Sequence, residues 1–410
     1  MSLRVMVYSH DTFGLGNIRR MLAVSHHLLD AVPDISVLLV TGSSMVHEFR
    51  MRPGLDYIKL PCLSRVGRDE YSAKSLGTGI GQLMQLRSEL ILAAAREFDP
   101  DVVLIDKKPD GVKHELRPTL AHLRTHRPDC RLALVLRDIL DAPETTIASW
   151  REKHYFQTLR ANFDAVLVLG APKVFDAARE YKFPADIRRL TRFCGYLRRP
   201  KPAAAETLQR RASFLTGGEE KVVLVTPGGG EDGFALVRGY VAAARQFTGV
   251  RSVIVCGPEM PAAQREQVVA SARLNPSITV SEFTGEMISY MAASDVIVSM
   301  AGYNTICEIL SLNKRSVTVP RAHPVREQWI RGERLARLGL LEAIHPDELS
   351  PERLAAAVQR QLAAGPLPPA FPASLEGLAG VAGWVRESLP AAGRNEMEET
   401  LTWNVASLMS

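Results

Sequence analysis

Apolar residues in this chain gather in short runs rich in Val, Ile and Leu, and stretches with helical spacing separate the runs. In the first half the runs are Arg4–Tyr8, Ser36–Thr41, Tyr57–Leu60, Val102–Asp106, Leu132–Leu136 and Ala165–Leu169. In the second half they are Lys221–Thr226, Ser252–Cys256, Ile278–Ser281, Val296–Ser299 and Ser316–Val319. Runs that are apolar at nearly every position suit parallel strands covered on both faces. Their alternation with helices predicts an α/β protein built on doubly wound, Rossmann-like sheets.

The pattern is interrupted once and then restarts. Gly195, Pro200 and Pro202 make the stretch from Phe193 to Ala205 a natural linker, and a strand with a glycine-rich turn follows it. Two domains are therefore expected in the 410 residues, 1–198 and 199–372. Roughly 100–200 residues per domain gives the same number. A proline-rich stretch from Gly365 precedes a last helical segment near Leu375–Ser388, so 373–410 reads as a C-terminal helix and tail. The tail from Ala391 is polar and expected to fray.

Composition narrows the class without changing this picture. Hydrophobic content is 46%, charged content 23% and formal net charge +5, ordinary for a soluble globular protein that handles anionic small molecules. No compact Lys/Arg block or stacking-aromatic motif calls for nucleic acid. The five cysteines are scattered with no C-x-x-C, which argues against a disulfide framework or a zinc site. The first residues read as a strand and not a signal peptide, and no apolar run is long enough to span a bilayer. The expected place is the cytoplasm, with peripheral contact at the inner face of the membrane left open.

Four strand ends carry candidate chemistry. Ser9–Arg20 follows the first strand and opens a helix; Gly14 and Gly16 would let a ligand approach the backbone, and His10 and Asp11 stand just past the strand end. Arg19 stands where the dinucleotide fingerprint needs its third glycine, and no acidic residue ends the second strand at Val40–Gly42, so a NAD reading is weak. Thr226–Gly233 places Gly228, Gly229 and Gly230 in a row after a strand, a backbone that must bend around something. Ser299–Leu310 follows an apolar strand: Gly302 would allow the turn, and Asn304 and Thr305 would cap a helix and offer N–H groups to a diphosphate. Glu308, four residues on, would face the same cleft and accept ribose hydroxyls. Finally, Pro320 and Pro324 fix a loop before Arg326, Glu327 and Gln328, which would reach a sugar or phosphate. Each polar residue taken alone has a bland alternative as a cap or surface group.

The second half resembles the C-terminal domain of glycosyltransferase family 28. The resemblance rests on Pro227–Gly230, on Ala301–Glu308 as a small-Gly-x-x-Thr-x-x-Glu pattern, and on Pro320 followed by Arg326–Trp329. The first half is similar in the placement of its glycine loop and of Gly195-Tyr-Leu before the linker. The family includes the peptidoglycan enzyme that moves GlcNAc from UDP-GlcNAc to a lipid-linked acceptor. The resemblance implies a GT-B fold, two Rossmann-like domains facing across a cleft. It implies that Glu308 holds the ribose of UDP, that Gly302, Asn304 and Thr305 hold the diphosphate, and that Gln328 with Glu327 contacts the donor sugar. Gly228–Gly230 would line the opposite wall, and the first domain would take the acceptor. The family's histidine after the second glycine of the first loop is replaced here by Asn17, whose amide is no general base. His10, Asp11 and Asp138 are the nearest replacements.

The expected function is hexosyl or N-acetylhexosaminyl transfer from a UDP-sugar to a hydroxyl of a glycan or a lipid-linked acceptor. No Asp-x-Asp motif stands at the donor end; Asp99–Asp101 precedes a first-half strand and reads as a turn. Transfer is thus expected without a metal or other cofactor, with a helix N-terminus stabilising the leaving diphosphate. The rivals are a non-hydrolysing UDP-sugar epimerase, a non-catalytic nucleotide-sugar-binding subunit and, last, a dinucleotide oxidoreductase. The glycine-bearing stretch Arg65–Ile91 reads either as an acceptor loop and helix that docks at a membrane, or as a loop and core-facing helix.

Overall fold

In the computed structural model, which describes residues 2–10, 16–67, 70–365, 367 and 374–388, each half of the chain builds one parallel sheet. The first half contributes β1 (Leu3–Ser9), β2 (Ile35–Thr41), β3 (Leu55–Lys59), an antiparallel hairpin of β4 (Leu63–Gly67) and β5 (Glu70–Ala73), then β6 (Val102–Asp106), β7 (Arg131–Arg137), β8 (Ala165–Leu169) and β9 (Thr191–Phe193). The sheet order is β3-β2-β1-β6-β7-β8-β9. The second half contributes β10 (Lys221–Thr226), β11 (Val250–Val255), β12 (Ile278–Ser281), β13 (Val296–Ser299), β14 (Arg315–Thr318) and β15 (Glu342–Ala343), ordered β12-β11-β10-β13-β14-β15. Every position of β6, β8 and β13 is buried. The continuous apolar runs therefore have the cause inferred from them, cover on both faces.

Both strand orders reverse at the first strand of the domain. β1 lies between β2 and β6, and β10 between β11 and β13. The crevice outside the carboxyl ends at such a reversal is where open α/β sheets take ligands. Four loops matter for that reason: those after β1 and β6 in the first domain, and those after β10 and β13 in the second.

Helices cover both faces of each sheet. The helix Gly16–Ala31 buries Ile18, Met21, Leu22, Val24 and Leu28 against the first sheet. The C-terminal helix Gly377–Glu387 does not extend the second domain; it packs beside Gly16–Ala31. Glycine makes that return fit. A Cβ on Gly380 would stand 2.7 Å from the Cβ of Cys194, and one on Gly377 would stand 2.6 Å from the carbonyl oxygen of Gly195. The returning chain also bonds to the outgoing linker. Tyr196 N–H donates to the Ser374 carbonyl (2.8 Å), Gly377 N–H donates to the Tyr196 carbonyl (3.0 Å), and Leu197 and Glu376 form an antiparallel bridge.

The domains share one apolar core. A single cluster runs from Val5, Ile18 and Leu104 through Tyr196 and Leu197 to Val222, Tyr303 and Ile306. The rings of Tyr196 and Tyr303 stack at 6.0 Å, and the guanidinium groups of Arg20 and Arg331 stand 5.8 and 5.7 Å from the Tyr303 centroid. Two cations on one buried ring give the interface polar specificity as well as apolar area.

Candidate active site

The second-domain crevice is built by close approach of backbone. Gly228 and Gly230 have φ of +85° and +102°, conformations that disfavour any side chain. A Cβ on Gly230 would lie 2.5 Å from the Cys256 carbonyl oxygen, and one on Gly257 would lie 2.5 Å from those of Gly228 and Gly229. The loops after β10 and β11 are thus interlocked, and packing accounts for part of the glycine run. Gly228 also faces the other side of the crevice, where a Cβ on it would sit 3.7 Å from Oγ1 of Thr305.

That other side is the start of the helix Tyr303–Leu312. Its N-cap is Gly302, and no side chain caps it. The expectation that Asn304 and Thr305 cap this helix is corrected; both lie inside its first turn. The Asn304 amide donates to the Gly16 carbonyl (3.1 Å) and accepts from Arg199 (3.4 Å). The first-turn N–H groups keep their positive end of the helix dipole directed at the crevice.

Glu308 lies one turn further in and is buried at 3% exposure. Its carboxylate accepts a hydrogen bond from Arg19 of the first domain at 2.8 Å. The loop after β14 adds a chain of charges. Arg321 pairs with Asp232 (2.7 Å) and Glu327 (3.4 Å), Arg137 reaches Glu327 at 3.5 Å, and the Arg321 N–H donates to Oε1 of Gln328 (3.2 Å). Oε2 of Glu327 is buried without a partner, and burial lowers the pKa of Arg137. A cavity of about 290 Å³ opens beside this loop, lined in part by Asp232, Met300, Pro320, Arg321 and His323. A larger one of about 370 Å³ lies between Arg265 and Glu282, away from these loops.

In the first domain, His10 follows β1 and is fully buried. Its N–H donates to Asp106 at 3.3 Å, and neither ring nitrogen has a partner. Burial, then the charges of Lys107, Lys108, Arg87 and Arg20, holds its pKa well below the ordinary histidine value. Asn17 serves as a tie: its amide donates to the His10 carbonyl (2.5 Å) and accepts from Arg20, which pairs with Asp106 at 2.6 Å. Asp11 and Gly14 lie outside the described residues; Gly16 begins the helix.

Asp138 is corrected from candidate base to interdomain anchor. Both of its oxygens accept from Arg331 (2.7 and 2.8 Å), the Tyr196 hydroxyl donates at 2.8 Å, and the Ile139 N–H at 2.7 Å. Asp138 and Arg331 are both buried and come from different domains. A carboxylate bonded on all sides has no lone pair left for a substrate proton. Sequence reasoning misses Arg20 and Arg331, because a buried arginine on a helix leaves no periodic trace; it also misses the part-exposed Arg19, and Tyr196 and Arg199 in the linker, whose partners are distant in sequence. Asp106, a charge ending an apolar strand, was a signal open to reading. Among the described residues, no group of three or more His, Cys, Asp or Glu side chains comes together as a metal site.

Two facing Rossmann-like sheets with crevices at both reversals define the GT-B fold. Residues 222–368 match the glycosyltransferase family 28 C-terminal domain. A GlcNAc transferase acting on N-acetylmuramyl-(pentapeptide) pyrophosphoryl-undecaprenol, from Caldicellulosiruptor saccharolyticus, is 24% identical over 149 residues, 36% of this chain and 40% of that protein. An uncharacterized glycosyltransferase of Methanopyrus kandleri is 29% identical over 143 residues, 34% of this chain and 38% of its own. The matches thus span about two fifths of these relatives. Solved structures agree over nearly the whole chain. The kitacinnamycin glycotransferase has a TM-score of 0.59 at 17% identity, covering 95% of this chain and 100% of that one. Acinetobacter baumannii MurG has a TM-score of 0.57 at 15% identity, covering 97% and 98%.

Proposed function

We propose that this chain is a glycosyltransferase that moves a hexose or N-acetylhexosamine from a UDP-sugar to an acceptor hydroxyl without a metal. The observation that carries the reading is the uncapped helix start at Gly302–Thr305, opposite Gly228 across the reversal of the second sheet. A diphosphate there meets free N–H groups and a positive dipole end. As the bond to the sugar breaks, charge grows on the diphosphate, and the same dipole stabilises it. Glu308, one turn in, accepts the ribose hydroxyls by exchanging Arg19 for them. Gln328 and Glu327 meet the donor sugar. The similarity of residues 222–368 to the family 28 domain supports the same roles.

The first domain takes the acceptor. A lipid-linked acceptor at the cytoplasmic face of a membrane is supported by exposed Val66, Leu76, Leu86 and Leu90 around the β4–β5 hairpin and the following helix, and by five free cysteines. No helix among the described residues is long and apolar enough to cross a membrane. Sedimentation with anionic liposomes tests the contact; a protein that stays in the supernatant would remove it.

Calorimetry with UDP tests the donor site. Binding is expected to weaken by about 1–3 kcal/mol in Glu308→Ala, the scale for leaving polar groups unpaired. An unchanged affinity would refute the assignment of Glu308. Turnover is expected to survive EDTA, and its abolition would refute metal independence. A binding subunit without turnover is the reading that Asn17 favours, and UDP binding with no UDP release from any donor would select it.

A further inference from the structure

The transfer needs a group to take the proton from the acceptor hydroxyl, and the candidates that the sequence offers for it among the described residues are occupied or enclosed; Asp11 lies outside those residues. Asn17 is an amide tied at both ends, Asp138 is saturated by Arg331 and Tyr196, and the ring of His10 is fully enclosed among cations. Among the described residues three histidines pair with a carboxylate: His47 with Glu48, His345 with Asp347 and His114 with Asp110. Glu48 and Asp347 are exposed, at 60% and 76%, whereas Asp110 is at 0%. A buried carboxylate on one ring nitrogen fixes the tautomer and orientation of an imidazole and stabilises the imidazolium that forms.

The position fits as well. Asp110 and His114 lie on the loop leaving the carboxyl end of β6, beside β1, at the reversal of the first sheet. The flanking loops make the interdomain contacts: the helix after β1 through Arg19 to Glu308 and through Gly16 to Asn304, and the loop after β7 through Asp138 to Arg331. The β6 loop is therefore framed by two of the places where the domains touch. Its other wall is the β4–β5 hairpin, where Val112 packs with Leu63 and Tyr71 and the Tyr71 hydroxyl meets Lys108 at 3.4 Å. Asp110 binds Nδ1 of His114 through Oδ2, and Arg117 stands 3.5 Å from the same carboxylate. Nε2 of His114 has no protein partner among the described residues, and the side chain is 42% exposed. Lys107, Lys113 and His114 all have φ between +45° and +69°. Such conformations are uncommon in residues with a Cβ, and three of them fall on this one loop.

Resting on the donor reading above, we infer that His114 is the general base of the transfer and Asp110 its positioning residue. The acceptor O–H proton passes to Nε2 of His114 while the hydroxyl oxygen bonds to the anomeric carbon. The bond from that carbon to the diphosphate oxygen breaks, and its electron pair leaves with UDP. Asp110 stabilises the imidazolium, which then returns its proton to solvent.

The test measures UDP released from UDP-N-acetylglucosamine and UDP-glucose, with water and methyl glucosides as acceptors. His114→Ala is expected to lower kcat about 10²–10⁴-fold, the usual worth of a general base. Its donor KM and calorimetric UDP affinity stay within about twofold of wild type. Added imidazole restores part of the rate, which no structural role of an exposed side chain explains. Asp110→Asn lowers kcat with donor KM unchanged. A His114→Ala protein that binds UDP and turns over within threefold of wild type would overturn the dyad and leave the donor site standing, as would a wild type that binds UDP but releases none from any donor. A wild type that binds no uridine nucleotide would overturn the donor reading and this inference with it.

Discussion

Replacing Arg331 with methionine should separate the two domains energetically. The guanidinium makes two hydrogen bonds to Asp138 and one to the Ala301 carbonyl at 2.7 Å, with the pair at 0% and 1% exposure. Charged hydrogen bonds contribute about 1.5–3 kcal/mol each, and breaking a buried ion pair by removing one partner costs about 3–5 kcal/mol, because the remaining charge is stranded. We expect a loss of about 3–5 kcal/mol in urea denaturation. The Tyr196 hydroxyl and the Ile139 N–H remain as hydrogen-bond donors to Asp138. Because the pair joins different domains, a single unfolding transition should become two. A double-mutant cycle with Asp138→Asn isolates the pairwise term, which should exceed about 2 kcal/mol for contacts this close. An Arg331→Met protein within about 1 kcal/mol of wild type, unfolding in one step, would refute the reasoning.

Other outcomes follow from the same geometry. His10 is neutral when folded because its pKa is held below the ordinary value of about 6.5. The unfolded chain binds the proton first as pH falls, so stability present above about pH 6.5 is lost below it, at up to about 1.4 kcal/mol per pH unit. The urea midpoint of His10→Asn should therefore fall less between pH 7 and pH 5 than that of wild type, and an equal fall would refute this. Gly230→Ala forces a Cβ to 2.5 Å from the Cys256 carbonyl at φ +102°. Together, left-handed strain and overpacking should cost about 2–5 kcal/mol, and thermal unfolding at the wild-type temperature would contradict it. Cys62 alone among the five thiols is not buried, and burial raises Cys130 and Cys194 to about 12 and Cys307 to about 11. One thiol should react with a disulfide reagent in the native protein and five after unfolding; two or more fast thiols would mean that the core opens.

The sheets were legible because their strands are buried on both faces, and β6, β8, β10, β12 and β13 have the boundaries that their apolar runs mark. The β4–β5 hairpin reads as a loop in sequence, since the charged and glycine-bearing stretch around Gly67 and Glu70 breaks the apolar pattern. β15 has two residues and β9 three, too short for any periodicity. In the second crevice, Gly228, Gly302, Thr305 and Glu308 do lie together, because turn and helix-start chemistry is local and visible in sequence. The first-domain side was less legible. Asp138 meets an arginine 193 positions away, and long-range pairing leaves no mark on the neighbours of either residue.

The chain crosses between the domains twice, outward at Tyr196–Arg199 and back before Glu376, and the two passages are joined by backbone hydrogen bonds. A body attached at one point can swivel in any direction; one attached along two adjoining strips turns about a single line, as a book opens along its spine. Any opening between the domains is constrained by these bonds to turn about that seam. A protease cut in the returning strip would remove one of two covalent ties and leave the domains held by the outgoing linker, the shared core and the Asp138–Arg331 pair.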